Sequence, residues 1–252
     1  MVDTYPAPRL DEVRETIRDP LRTLVQQLQT RLGENLRSVT VVGSALTDDF
    51  RPGASDINTV VLLDRHDLGA LNAVASLARS LNRQRLSLPM LMTPLYIERS
   101  RDVFGMEFLD FQLTHQTVLG EDPFAAIHVE KPDVRLQCER ELKAMLVRLR
   151  QGYVAAAGDK GLVQDVLIST GKSLTPLTRA MLWLHGIERP RTMDAALKKA
   201  AAEFHVDLDA AIAAERWRYT KPRLTQNDVQ STFAAILDAV DRLTTTIDEM
   251  KL

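Results

Sequence analysis

Two short apolar runs separated by a turn-rich stretch dominate residues 39–64, VTVVGSALTDDFRPGASDINTVVLLD. Such runs, rich in β-branched residues and bounded by Gly, Pro and Ser, are too short and too continuous for an amphipathic helix and read as buried strands. The first, over 38–42, ends in Gly43-Ser44. The second, over 55–63, carries Asp56-Ile57-Asn58 near its start. Side chains alternate across a strand, so Asp56 and Asn58 point the same way, about 6–7 Å apart. A carboxylate in an apolar strand needs a partner or a metal ion.

The surrounding pattern sets the fold class. Residues 9–33 are helical in spacing, with Leu21, Leu24, Val25, Leu28 and Leu32 on one stripe, a break expected at Asp19-Pro20 and a stop at Gly33. A helix over 67–84 follows the second strand. The runs at 88–97 and 107–114 read as a third and a fourth strand, the latter carrying Asp110. Strands alternating with helices give an α/β (α+β) domain with a short mixed sheet over 1–126. From about residue 130 the chain reads as helix after helix: 131–157, 159–186 with an interruption around Gly171 to Pro176, 192–204, 207–218 and 225–250. An all-α bundle is therefore expected over 127–252.

Composition narrows the function. Hydrophobic residues are 45% of the 252, enough for an ordinary core, and the formal net charge is -2. That balance makes a long nucleic acid a poor partner. No run approaches the roughly 18 uncharged apolar residues of a membrane span. The polar N-terminus lacks the basic start and apolar stretch of a targeting signal. A single cysteine, Cys138, permits no intramolecular disulfide and suits a reducing cytoplasm; within a helical stretch it reads as a packed thiol.

Asp56, Asn58 and Asp110 form the candidate metal set, because magnesium, or manganese in its place, takes oxygen ligands from a few side chains plus substrate phosphates. Two-metal sites of this kind serve in-line nucleotidyl transfer. Gly43 allows close backbone approach to a phosphate, and the hydroxyl of Ser44 is the direct contact, with the residues after it opening a short helix. His115 reads as a turn or interface residue. Trp183, Trp217, Phe233 and Met181 read as core, and His185-Gly186 as a helix end.

Gly43-Ser44, eleven intervening residues, then Asp56-Ile57-Asn58 resembles the Gly-Ser…Asp-x-Asp signature of the nucleotidyltransferase superfamily, which includes DNA polymerase beta and the aminoglycoside nucleotidyltransferases. The layout, a small α/β domain followed by helices, resembles the kanamycin-type and small bacterial members. The resemblance implies transfer of a nucleoside monophosphate from a nucleoside triphosphate to a small-molecule or protein hydroxyl. It also implies Asp56 and Asp110 as catalytic metal ligands. Glu139, on the first helix of the bundle, is implied as the acceptor's base, and Lys143, one turn on, as a triphosphate contact. Asn58 departs from the signature: an amide oxygen can ligate magnesium but brings no charge. Asp48, Asp49 or Glu107 could supply the missing acid. The alternative reading is a catalytically impaired nucleotide-binding or protein-interaction module. The acceptor and the oligomeric state, a homodimer included, stay open.

Overall fold

The computed structural model describes residues 7–251. Residues 1–6, part of the segment read above for a targeting signal, lie outside the described residues. Contacts divide the chain into two compact units. The first runs up to Arg101 and takes in Phe111–His128; the second joins Asp102–Asp110 to the chain from Val129 onward.

The first unit is built on a four-stranded mixed sheet. Strands β1 (Leu36–Val42), β2 (Asn58–Leu63), β3 (Met90–Met92) and β4 (His115–Leu119) lie in the order β3-β2-β1-β4. β1 pairs antiparallel with β2 and with β4, whereas β3 runs parallel to β2. Val39, Val41, Val61 and Leu63 share a core with Ile17, Leu21, Leu24, Val25 and Leu28 of helix α1 (Glu15–Leu32). The expected break at Pro20 does not occur: α1 runs through it. Pro20 has no N–H to give the Thr16 carbonyl, and the buried stripe from Ile17 to Leu28 holds the helix in register across the proline.

Three further expectations are corrected. The helix over 67–84 is two pieces, α2 (Leu68–Ala75), capped by the Asp67 carboxylate on the Ala70 N–H, and α3 (Ala78–Arg83). The third strand stops at Met92 because Thr93 caps the Tyr96 N–H and Pro94 opens helix α4 (Pro94–Arg99). Residues 107–114 are not a strand. They belong to helix α5 (Gly105–Leu113), and the fourth strand begins at His115. In α5 the buried residues are Gly105, Met106, Phe108 and Leu109, a helical three-residue spacing that a short apolar run can hide.

The second unit packs α6 (Lys131–Ala155), α7 (Lys160–Leu184), α8 (Met193–Phe204), α9 (Asp209–Thr220) and α10 (Gln226–Glu249) around one core. Met181, Trp217 and Phe233 are in that core and Trp183 packs against it. Cys138 is also buried there, and burial pushes its thiol up to about 12, an unreactive state. The expected interruption in α7 is absent. Gly171 serves a close approach instead: a Cβ there would lie 2.8 Å from the Ala211 carbonyl oxygen and 3.2 Å from the Glu215 amide nitrogen of α9. No helix among the described residues is long and apolar enough to cross a membrane.

Gly171→Ala is expected to push α9 off α7 and to destabilise the second unit by about 1–3 kcal/mol, as overpacking does. Urea unfolding followed by tryptophan fluorescence reads this directly, since Trp183 and Trp217 both lie in this unit.

Candidate functional site

The site starts from register. Val42 lies opposite Asn58 on one side and His115 on the other. Directly opposed residues of antiparallel strands share a face, so Asn58, Val42 and His115 form one row across the sheet face turned away from α1. Immediately after Val42 the chain turns. Gly43 takes φ +77°, and the Asn58 amide nitrogen lies 3.9 Å from where a Cβ at 43 would sit. Glycine keeps this backbone unstrained and leaves Asn58 lying over it.

Gly43 and Ser44 open a single 3-10 turn, Gly43–Leu46. Four residues are too few to sum a helix dipole, so phosphate binding here falls to individual groups. The Gly43 N–H is already committed, donating to the Thr114 carbonyl at 2.9 Å. The Ser44 hydroxyl is half-buried and makes no hydrogen bond to another described residue, which leaves it free to meet a ligand. The Ser44 carbonyl accepts the Thr47 N–H at 3.0 Å, and Arg14 donates to the Thr47 carbonyl at 2.6 Å, fixing the turn.

The return to β2 is shaped by Ser55. Its buried hydroxyl accepts the Arg51 N–H at 3.1 Å while its own N–H donates to the Arg51 carbonyl. Ser55 therefore does the turn-capping, and Asp56 is left exposed just before the strand. The strand expected over 55–63 begins only at Asn58, so Asp56 lies outside it, with the buried Ile57 between the two. Arg85, which sequence reasoning did not single out, brings Nη1 to 3.5 Å from Asp56 Oδ1. In sequence it looks like one of several solvated arginines after α3; only the bridge between Ile57 and Leu86 puts it here.

His115 is locked in place. Its Nδ1 donates to the Phe111 carbonyl at 2.8 Å, its Nε2 meets Asp122 Oδ2 at 2.9 Å, and its ring stands edge-on to Phe124. It holds the start of β4, consistent with a structural turn residue. Burial raises the Asp122 carboxyl, but hydrogen bonds from His115 and the Phe124 N–H outweigh burial and hold it below the usual carboxylate range.

The other candidates belong to the second unit. Asp110 sits on α5, and the expectation of a ligand on a neighbouring strand is corrected on that point. Its Oδ1 accepts from Arg179 Nη1 at 2.7 Å. Arg179 is buried and also donates to the carbonyls of Pro190 and Arg191, while Arg189 donates to the Leu109 carbonyl. Burial first, and Arg179 beside it, hold the Arg189 guanidinium below its ordinary value, with Asp110 opposing. Asp110 is thus the counter-ion of a buried arginine. Glu139 lies between Arg135, 3.3 Å away, and Lys143, 2.6 Å away; Lys143 also meets Asp248 at 2.9 Å. Hydrogen bonds to Glu139 and Asp248 raise the Lys143 ammonium. Glu107 accepts from Gln137, and Asp48 is an exposed turn residue. His185 caps the end of α7 beside Glu203. Among the described residues no three His, Cys, Asp or Glu side chains gather closely enough to hold a metal ion.

The mixed sheet, the helices and the turn between β1 and β2 define the nucleotidyltransferase fold, and this chain has that fold. The solved structure of spectinomycin adenyltransferase AAD(9) from Enterococcus faecialis, with ATP and spectinomycin, superposes with a TM-score of 0.56. The two share 12% sequence identity, and the match covers 88% of this chain and 98% of that one. No family model and no curated protein matches the sequence.

The low Asp122 value carries a pH consequence. A carboxyl depressed in the folded state stabilises above its unfolded pKa, and that stabilisation is lost as pH falls through the folded value. Wild-type protein should therefore lose more stability than Asp122→Asn between neutral pH and the acid end of the carboxylate range. Urea titrations of both proteins across that window check it; parallel curves would exclude the effect.

Proposed function

We propose that the chain binds a nucleoside triphosphate at Ser44, Asp56 and Asn58 and transfers its nucleoside monophosphate to a small hydroxylated acceptor. The observation that carries this reading is Asn58 at the first residue of β2, with Asp56 two residues before it, beside the Gly43–Ser44 turn whose hydroxyl is uncommitted. The fold supports it, because the AAD(9) structure holds ATP and spectinomycin.

The donors fit one magnesium ion: one carboxylate and one amide oxygen, with substrate phosphates filling other positions, is an ordinary magnesium environment. They do not supply the charge that two such ions require. When bound, magnesium or manganese draws charge from the phosphate oxygens at the reacting phosphorus. The chain's own residues supply the rest. Ser44 donates its hydroxyl to a terminal phosphate. Asp56 brings the one negative charge that recruits a cation to this end of the sheet. Asn58 offers its amide oxygen to the same cation and orients its amide nitrogen over Gly43. We assign Glu139 as base for the acceptor and Lys143 as a phosphate contact. Each must first exchange the ion pair it makes with the other, and exposed pairs of this kind contribute little to stability. In the transfer, the acceptor oxygen forms a bond to the α-phosphorus, its proton passes to Glu139, and pyrophosphate leaves with the bonding electrons. We place this chemistry in the cytoplasm, where the lone buried thiol of Cys138 stays reduced.

A second reading, nucleotide binding without turnover, is favoured by one observation: Asn58 stands where a second carboxylate would double the local negative charge. A single experiment separates the two. Protein is incubated with α-labelled ATP, magnesium, spectinomycin and a panel of hydroxylated small molecules, and label transfer and pyrophosphate are followed. Wild-type activity should fall about a hundredfold or more in Asp56→Ala and rise about tenfold in Asn58→Asp. Equal label transfer in wild type and Asp56→Ala would overturn the transfer reading. ATP binding by calorimetry without pyrophosphate release would establish the second.

A further inference from the structure

We infer that Arg85 is a triphosphate-binding residue that supplies, from the protein, positive charge which the Asp56–Asn58 pair recruits less of than two carboxylates would. The inference rests on the nucleotide site proposed above and deepens it.

The main chain at Arg85 is fixed on both sides. Its N–H donates to the Asn82 carbonyl at 3.2 Å, and its carbonyl accepts the Ile57 N–H at 2.8 Å. The Ser87 N–H donates back to the Ile57 carbonyl at 3.0 Å, and Leu86 between them is buried. The root of the side chain therefore cannot drift relative to Asp56. Arg85 also holds φ at +59°, the left-handed residue that ends α3, where the Leu86 N–H closes back on the Leu81 carbonyl at 3.0 Å.

The head group is under-used. Its contact with Asp56 is 3.5 Å, an ion pair too long for a good hydrogen bond, and both side chains are about half exposed, 53% and 56%. The other structural arginines behave differently. Arg179 spends three nitrogens on Asp110 and two carbonyls, and Arg9 donates to the Thr117 and Gly120 carbonyls. Among the described residues, Arg85 makes no hydrogen bond through its guanidinium. Its fork of donors is available to phosphate oxygens, for which guanidinium geometry is matched.

Charge completes the case. One magnesium ion, one carboxylate and one guanidinium carry the same net positive charge as two magnesium ions and two carboxylates. An amide at Asn58 with a cation beside Asp56 leaves a triphosphate facing an equal net charge.

Arg85→Gly is the informative variant, because glycine relieves the left-handed φ and should fold at least as well as wild type. Calorimetry on the full chain with ATP and with AMP, each in magnesium and in EDTA, reads the effect. Arg85→Gly should weaken ATP binding about tenfold or more, with the larger loss in EDTA, and leave AMP within about twofold. Arg85→Lys should fall between, since an ammonium keeps the charge and loses the fork. Unchanged or tighter ATP binding by Arg85→Gly would overturn the role of Arg85 alone and leave the nucleotide site standing. No ATP binding by wild type under either condition would remove both.

Discussion

The register of β1 against β2 is the constraint on which the first unit depends. The core face, with Val39 and Val41 against α1, fixes that register, because a one-residue slip would carry every apolar side chain to the other face. Once it is fixed, Val42 must lie opposite Asn58, and the turn that follows must bring Gly43 beneath the Asn58 amide. Hydrophobic packing thus places Asn58 on the other face of the sheet, with Ser44 just past the end of β1 and Asp56 just before β2. The site needs no separate device to assemble it. The Arg51–Ser55 turn only has to return the chain, which it does through the buried Ser55 hydroxyl.

Polar groups in this chain divide by how completely they are satisfied. Arg179 and Asp110 are a buried pair whose remaining donors reach carbonyls, so removing either partner would strand a charge, which is strongly destabilising. His115 and Asp122 are similarly complete and hold the start of β4. Ser44, Asn58, Asp56 and Arg85 are the contrasting set: present, oriented and incompletely paired. Unspent hydrogen-bonding capacity on a rigid edge is what a ligand site requires, and it is the physical distinction between Asp56 and Asp110.

Much of the fold was legible because apolar periodicity over long segments is robust. α6, α8, α9 and α10 follow their sequence spacing closely, as does β1, while β2 starts at Asn58 and leaves Asp56 outside the strand. The misreadings share one cause. Pro20 and Gly171 look like local breakers, but continuous buried stripes on α1 and α7 override them. Residues 105–113 contain apolar and polar residues that satisfy either a strand or a helix period over so short a run, and packing chose the helix. That choice moved Asp110 from a strand to a helix and gave it Arg179, a partner 69 residues away that no local pattern could indicate.

The sequence by itself determined that Gly43-Ser44 ends one strand, that Asn58 belongs to the next with Asp56 two residues before it, and that this pair is one carboxylate short of the signature it resembles. These follow from apolar patterning and residue chemistry, which are local. Only the tertiary structure decided that Arg85 stands over Asp56 and that the Gly43 N–H is spent on Thr114. Both depend on which distant segments the sheet and its flanking loops bring side by side, and that is set by the burial of one sheet face rather than by the residues of the site.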